Sequence, residues 1–346
     1  MRVGIVGTGA IATKHAAAYR KLGWEVAVCT NQTEERGRHF AAAHHAEFVT
    51  TVEELCRHPR VDYVDLCTFP SFRLPVVELC ARYKKHVLVQ KPMAIDLETA
   101  DRMITVANNA GIQLGVVSQH RFDDSTLFVK QAIMDGRIGR IVQADAYVKW
   151  FRSAEYYSRP VKGSWAVEGG GALINQAIHQ VDLLLHLIGP VTRLYGEWQL
   201  GGTHAIESED SVSVVMRYAN GATGVVQAST AIVPGYPERL EIHGTKGSAI
   251  VSGDKLTAWD VSDDDGPAPP LESHSASGAS DPMAISTQPF ERQFVAFAQA
   301  CADGAPPSCN GHDGRRALQF VLKAYESCRE GRAMVLEHDP ASRAAC

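Results

Sequence analysis

The chain has 346 residues, enough for two domains, each with its own core. A formal charge of -5 argues against nucleic acid as a main partner, and no apolar run is long enough to cross a bilayer, so neither nucleic acid nor a membrane is expected as a partner. Eight scattered cysteines without a Cys-x-x-Cys pair argue against a zinc cluster or a disulfide framework. A strand begins directly after Met1 and leaves no room for a signal peptide, so a reducing cytoplasm is the expected setting.

Arg2–Val6 reads as a short apolar strand, and an alanine-rich helix is predicted from about Thr13 to Leu22. Between them lies Gly7-Thr8-Gly9-Ala10-Ile11-Ala12, the Gly-x-Gly-x-x-Gly/Ala fingerprint in its strand–turn–helix setting. Gly7 permits the tight turn, Gly9 lets the backbone approach a pyrophosphate, Ala12 allows close packing, and the helix N-terminus offers N–H donors. This predicts a bound dinucleotide. The second strand, Glu25–Cys29, ends in Thr30-Asn31-Gln32-Thr33, without the acid that holds ribose hydroxyls in NAD enzymes. Nothing there repels a 2′-phosphate, and Arg36 and Arg38 follow, so NAD and NADP both stay open.

Val61–Cys67 is the next predicted strand, and the turn Thr68-Phe69-Pro70 after it is either part of the cofactor cleft or an ordinary loop. A helix is predicted around Leu74–Tyr83. His86-Val87-Leu88-Val89 then runs into Gln90-Lys91-Pro92. A continuous apolar run is the mark of a buried parallel strand, and proline ends its ladder. Lys91 therefore stands at the carboxyl end of a strand, where open α/β sheets bind ligands. It is either a solvated surface lysine or an ammonium facing the cofactor, able to polarise an oxygen. A helix over about Leu97–Ala110 and a strand over Gln113–Val117 complete the alternation, the latter ending in Ser118-Gln119-His120-Arg121-Phe122. The reading is an α/β fold: a Rossmann-type doubly wound parallel sheet over residues 1–120, with Gln90 and Gln119 beside the cofactor.

Beyond Arg121 the rhythm changes. A helix near Ser125–Asp135 precedes strands expected at Ile141–Phe151, Val191–Leu200, Asp210–Tyr218, Ala222–Thr230, Arg239–His243, Ser248–Ser252 and Lys255–Trp259. Asn220-Gly221 marks a hairpin. Residues 121–346 thus read as an α/β domain with a large, mostly antiparallel open sheet, whose outer face a homo-oligomer would cover. Asp263–Ser280 reads as a mobile loop, Phe290–Ala302 and Asp313–Arg329 as amphipathic helices, and the C-terminal tail as frayed. Gly169-Gly170-Gly171 leads into a helix that Gly189-Pro190 ends. Asn175 and His179, four apart, share a face, and the glycines would let something come close. A histidine in an apolar helix is more often a satisfied core residue, but this setting makes His179 an active-site candidate. His179, Asp182 and His186 match no metal-site spacing, and no metal is expected.

Taken together, Gly7–Ala12, Val89-Gln90-Lys91-Pro92-Met93 and Gly169–His179 resemble the glucose–fructose oxidoreductase / inositol dehydrogenase / MocA family over essentially the whole chain. The resemblance implies a Rossmann domain followed by an open-sheet domain, NAD(P)-dependent chemistry on a sugar or cyclitol carbon, and a homodimer or homotetramer. Two positions depart from the family. Its Glu-Lys-Pro is Gln90-Lys91-Pro92 here, and its Asp four residues before the histidine is Asn175. The Asn-Gln-x-Ile-His form is similar to a branch acting on pyranosides or nucleotide sugars, such as the UDP-N-acetylglucosaminuronate 3-dehydrogenases.

The implied reaction takes a hydride from a ring carbon of a small-molecule sugar or cyclitol to the nicotinamide. His179 takes the hydroxyl proton, Lys91 stabilises charge on the same oxygen, and Asn175 orients substrate or base. Lys91 as the proton acceptor is the variant of this scheme. Arg121, Lys149, Arg152, Tyr156, Tyr157 and Trp165 are candidates to bind the substrate, since aromatic faces stack on sugar rings and cations meet hydroxyls or a carboxylate. Packing in a surface loop is the plainer reading of Tyr156 and Tyr157. The rivals are NAD-dependent glycoside cleavage through transient C3 oxidation, and a cofactor-sensing protein without chemistry.

Overall fold

The structure, a computed structural model, describes residues 1–159, 161–262, 264–270 and 286–337. It divides into two units, one made of Met1–Gln119 with Thr287–Arg315, the other of His120–Ser286 with Arg316–Cys346. The expected frayed C-terminus, Asp263 and the stretch 271–280 of the expected mobile loop lie outside the described residues.

The first unit alternates strands and helices in chain order: β1 (Arg2–Val6), α1 (Ala10–Lys21), β2 (Glu25–Thr30), α2 (Glu34–His44), β3 (Glu47–Phe48), α3 (Val52–Arg57), β4 (Tyr63–Leu66), α4 (Arg73–Arg82), β5 (His86–Val89), α5 (Leu97–Ala110) and β6 (Leu114–Val116). The strands form one parallel sheet in the order β3-β2-β1-β4-β5-β6, with the chain reversing direction across the sheet after β3. Val3, Ile5, Val64, Leu66, Val87, Leu88 and Val89 are buried completely, which is why these strands read as unbroken apolar runs. Because the sheet is parallel, the carboxyl ends of β1, β4 and β5 lie along one edge, and two strand spacings put β5 about 10 Å from β1.

The helix expected over Phe290–Ala302 is Gln288–Asp303 and belongs to this first unit, not to the second as its place in the chain had implied. Its Phe294 stacks on Tyr19 of α1 with ring centroids 4.4 Å apart and meets His15 at 5.0 Å. An amphipathic pattern announces a buried face without naming what covers it.

The second unit opens with α6 (Asp124–Met134) and β7 (Ile141–Lys149), passes through the short helices α7 (Ala154–Tyr157) and α8 (Trp165–Glu168), and continues into α9 (Ile178–Leu187). Then come β8 (Val191–Leu200), β9 (Glu209–Tyr218), β10 (Thr223–Ser229), β11 (Arg239–Gly244), β12 (Gly247–Ser252) and β13 (Lys255–Val261). With α10 the helix of the first unit already described, α11 (Gly311–Glu330), which belongs to the second unit from Arg316 on, leads to β14 (Met334–Val335). The eight strands form one sheet in the order β13-β12-β11-β7-β10-β9-β8-β14, antiparallel except where β10 pairs with β7. Asn220-Gly221 turns β9 into β10 as its sequence requires, with Gly221 at φ 88°. Both parts of the expected fold class are present.

Candidate active site

In the first unit, the β1–α1 turn is built for a close approach. Gly7 has φ 89°, and a Cβ there would sit 3.1 Å from the backbone of Cys67. A Cβ on Gly9 would meet nothing within 4 Å, so the space above it is open. Gly9 caps α1 without any side-chain hydrogen bond, and no acid stands in the first turn. The hydroxyls of Thr8 and Thr68 are buried and have no hydrogen-bond partner among the described residues. Unspent N–H donors at a helix start, orphan hydroxyls and an open floor fit the pyrophosphate of a dinucleotide. Ala12 is fully buried, as the packing role requires, whereas Ala10 is exposed and Ile11 half-buried.

At the end of β2, Asn31 accepts the Thr8 N–H through Oδ1 at 3.3 Å, so its amide is tied to the turn. Arg38 pairs with Glu34 at 2.7 Å and lies over the Phe48 ring at 5.0 Å, and Arg36 is exposed. Thr30 and Gln119 are buried, while Phe69, in the turn before Pro70, is 38% exposed.

Lys91 lies two positions beyond Val89, the last residue of β5, and is half-buried. The Gln90 side chain is not a vacancy left by a missing carboxylate. Its Oε1 accepts the Lys91 N–H at 3.2 Å and its Nε2 lies 2.8 Å from His15 Nε2. The amide must therefore donate to the imidazole, which places the His15 proton on Nδ1, 2.7 Å from Asp65 Oδ2. Tyr19 donates to the same carboxylate oxygen at 2.7 Å. His15, Asp65 and Cys67 are the group among the described residues whose donor atoms are close enough to share a metal. Burial and the neighbouring Asp65 hold the Cys67 thiol well above its usual range, and His15 and Tyr19 already occupy Asp65.

In the second unit, Leu173–Ala177 winds as a π-helix before the α-helix begins at Ile178, so Asn175 and His179 are separated by one widened turn rather than a regular one. Single π turns of this kind gather at functional sites. The triple glycine has a different cause from the one expected. A Cβ on Gly171 would lie 1.8 Å from the backbone oxygen of Glu209, and one on Gly170 would lie 2.5 Å from the Tyr325 hydroxyl. The Glu209 carboxylate accepts the N–H groups of Gly171 (2.9 Å) and Leu173 (2.8 Å) and the Tyr325 hydroxyl (2.7 Å). Burial nevertheless pushes its carboxyl up to about 7 against those three donors. The glycines thus serve packing against β9 and Tyr325, and the helix carrying Asn175 and His179 starts on this buried acid. Asn175 donates through Nδ2 to the Gly170 carbonyl at 2.9 Å, which sets its amide plane.

Beside His179 stands a second histidine that motif reading passed over. The His120 ring meets His179 edge-on, and its Nδ1 lies 2.7 Å from Asp123 Oδ2. Burial works against its proton, but Asp123, Glu238 and Asp254 outweigh burial and raise its pKa.

The residues expected on substrate divide. Arg121 gives its Nε (2.7 Å) and Nη2 (2.5 Å) to Asp182 in a buried two-pronged pair. Trp165 is packed between Trp198 and Tyr325, with Arg329 over its ring and its Nε1 donating to the Glu207 carbonyl. Tyr157 bonds Thr230 and lies against His204. Lys149 donates to Gln227 at 2.6 Å, and burial lowers its pKa. Tyr156 accepts from Gln176, next to Asn175, and carries Lys162 (5.0 Å) and Arg152 (5.7 Å) over its ring. Tyr156 and Arg152 are thus joined, through Gln176, to the π turn.

Comparison with known proteins agrees with this geometry. Residues 1–118 match the model of an oxidoreductase family with an NAD-binding Rossmann fold, and residues 126–250 match that of the GFO/IDH/MocA C-terminal domain. A myo-inositol 2-dehydrogenase of Thermotoga maritima is 27% identical over 97% of this chain and 99% of its own. A 1,5-anhydro-D-fructose reductase of Ensifer adhaerens is 28% identical over 97% and 98%. The crystal structure of the WlbA dehydrogenase from Bordetella pertussis, in complex with NADH and UDP-GlcNAcA, superposes with a TM-score of 0.86 at 28% identity, covering 98% of this chain and 99% of that one. The chain belongs to the GFO/IDH/MocA family of oxidoreductases, with an NAD-binding Rossmann domain at its N-terminus.

Proposed function

We propose that the protein oxidises or reduces a ring CH–OH of a sugar, a cyclitol or a sugar nucleotide, with Lys91 and His179 as its catalytic residues. The carrying observation is the placement of Lys91. It stands at the carboxyl end of β5, on the same sheet edge as the glycine turn after β1, with its backbone N–H held by Gln90. Bound nicotinamide supplies a two-electron hydride acceptor. The Lys91 ammonium donates to the reacting oxygen and stabilises the charge that grows there as its proton leaves. His179 takes that proton, and Asn175, its amide plane set by the Gly170 carbonyl, orients the hydroxyl. Tyr156 and Arg152 bind the substrate ring and its substituents.

The substrate class is supported by the relatives named above, which act on an inositol and an anhydro-sugar or were crystallised with a sugar nucleotide. The test is NAD reduction followed by absorbance across monosaccharides, glycosides, inositols and UDP-sugars. At least one of these compounds is expected to reduce NAD, and Lys91→Ala and His179→Ala to lower its turnover by about a hundredfold or more. Near wild-type turnover in both variants overturns the assignment.

A further inference from the structure

Arg73, the first residue of α4, is 2% exposed, yet among the described residues every hydrogen-bond acceptor of its guanidinium is a backbone carbonyl. Nε and Nη2 donate to the carbonyl of Thr68, at 3.1 and 2.5 Å. Nη1 donates to the carbonyls of Gln90 and Pro92. Burying a cation without a carboxylate to balance it is costly, and burial pulls this guanidinium down to about 9, still protonated at neutral pH. A fold that keeps such a group spends stability on what it holds. Here it holds the carbonyls of the residues before and after Lys91 and ties both to the turn after β4. The Lys91 N–H is taken by Gln90 Oε1. Gln90 is fixed in turn by His15 and, through it, by Asp65.

We propose that Arg73 is a positioning residue for Lys91: by clamping the Gln90 and Pro92 carbonyls to that of Thr68, it fixes where the lysine side chain departs from the backbone and so how its ammonium meets the reacting oxygen. This rests on the reading of Lys91 as the group that stabilises that oxygen. Misplacement by an ångström far from the chemistry costs on the order of a hundredfold in rate.

The test compares Arg73→Lys and Arg73→Ala with the wild-type chain and with Lys91→Ala. Three quantities are measured on folded protein: kcat with a compound the wild type oxidises, the Kd for NADH by fluorescence, and the pH profile of Lys91 acetylation by acetic anhydride, read by peptide mass spectrometry. In Arg73→Lys, kcat is expected to fall tenfold or more while the Kd for NADH changes less than threefold, and the Lys91 acetylation profile is expected to shift. A merely structural role would lower the melting temperature and leave kcat and the acetylation profile in place, and that result overturns the proposal. Should Arg73→Ala fail to fold, Arg73→Lys decides alone. A fully active Lys91→Ala sinks the reading of Lys91 itself, whereas an inactive Lys91→Ala beside a fully active Arg73→Lys sinks only the clamp.

Discussion

The His120 ring stands edge-on to the ring of His179, with centroids 5.1 Å apart and planes crossing at 86°. Asp123, Glu238 and Asp254 favour the proton on His120, and the Arg121–Asp182 pair contributes one charge of each sign to the same unit. The edge-on contact and the Asp123 bond hold the His120 ring against that of His179. His120→Ala, which takes this neighbour away from the His179 ring, is therefore expected to lower kcat/KM by about tenfold. An unchanged kcat/KM in a folded variant would mean that the two rings are merely packed.

Glu209 links the start of the helix that carries Asn175 and His179 to pH. Its carboxyl is pushed up to about 7 from an ordinary value near 4.5 by burial, so in that window the folded chain keeps a proton that the unfolded chain has lost. The folded state binds more protons there, and stability falls as pH rises from about 4.5 to about 7, with the full loss present above. Glu209→Gln abolishes this titration. It also turns an amide N–H₂ toward one of the donors that the carboxylate now accepts, at about 1–3 kcal/mol. Urea unfolding at pH 5 and pH 8 is expected to show the variant less stable than wild type at pH 5 and a smaller drop between the two pH values. Equal drops in the two proteins would remove Glu209 as the titrating group.

The parts of this site legible in the sequence are those set by local rules. Val87–Val89 reads as a buried strand because both of its faces are covered, and Pro92 marks where it stops, so Lys91 is placed without any tertiary information. The glycine turn is legible for the same reason. What escapes are pairings across distance. Gln90 and His15 are 75 residues apart, and neither residue type announces the other. Arg73 reads as a surface cation at a helix start, and only the fold turns it inward onto three carbonyls. Gly171 looks like space for a ligand, whereas the space is filled by the Glu209 backbone.

Two glycines separate binding from folding. Gly9 has φ -80°, which alanine adopts freely, and a Cβ there meets no atom within 4 Å. Gly9→Ala is expected to keep the wild-type melting temperature while weakening NADH binding tenfold or more, since the methyl enters the floor of the cofactor turn. Gly171→Ala drives a Cβ into the backbone of a central strand and is expected to lose more than about 3 kcal/mol or to yield insoluble protein. Thermal melting and NADH titration of both variants separate the two cases. A Gly9→Ala protein that binds NADH like wild type would take the open floor away from the cofactor.

The Arg121–Asp182 pair sets the last test, because it decides between stability and substrate. Both side chains are nearly buried, at 6% and 8% exposure, and the two-pronged geometry engages Nε and Nη2 of the guanidinium. Removing one charge leaves the other stranded, so Asp182→Asn should cost about 3–5 kcal/mol. Replacing both partners with apolar groups of similar volume, as Arg121→Met with Asp182→Leu, should recover most of that loss. The double variant then isolates the role of Arg121 in binding, since its fold is restored while its guanidinium is gone. A KM within about threefold of wild type in that protein assigns Arg121 to the scaffold of the His179 helix. A rise of tenfold or more at restored stability would return Arg121 to the substrate, where its position in the chain first placed it.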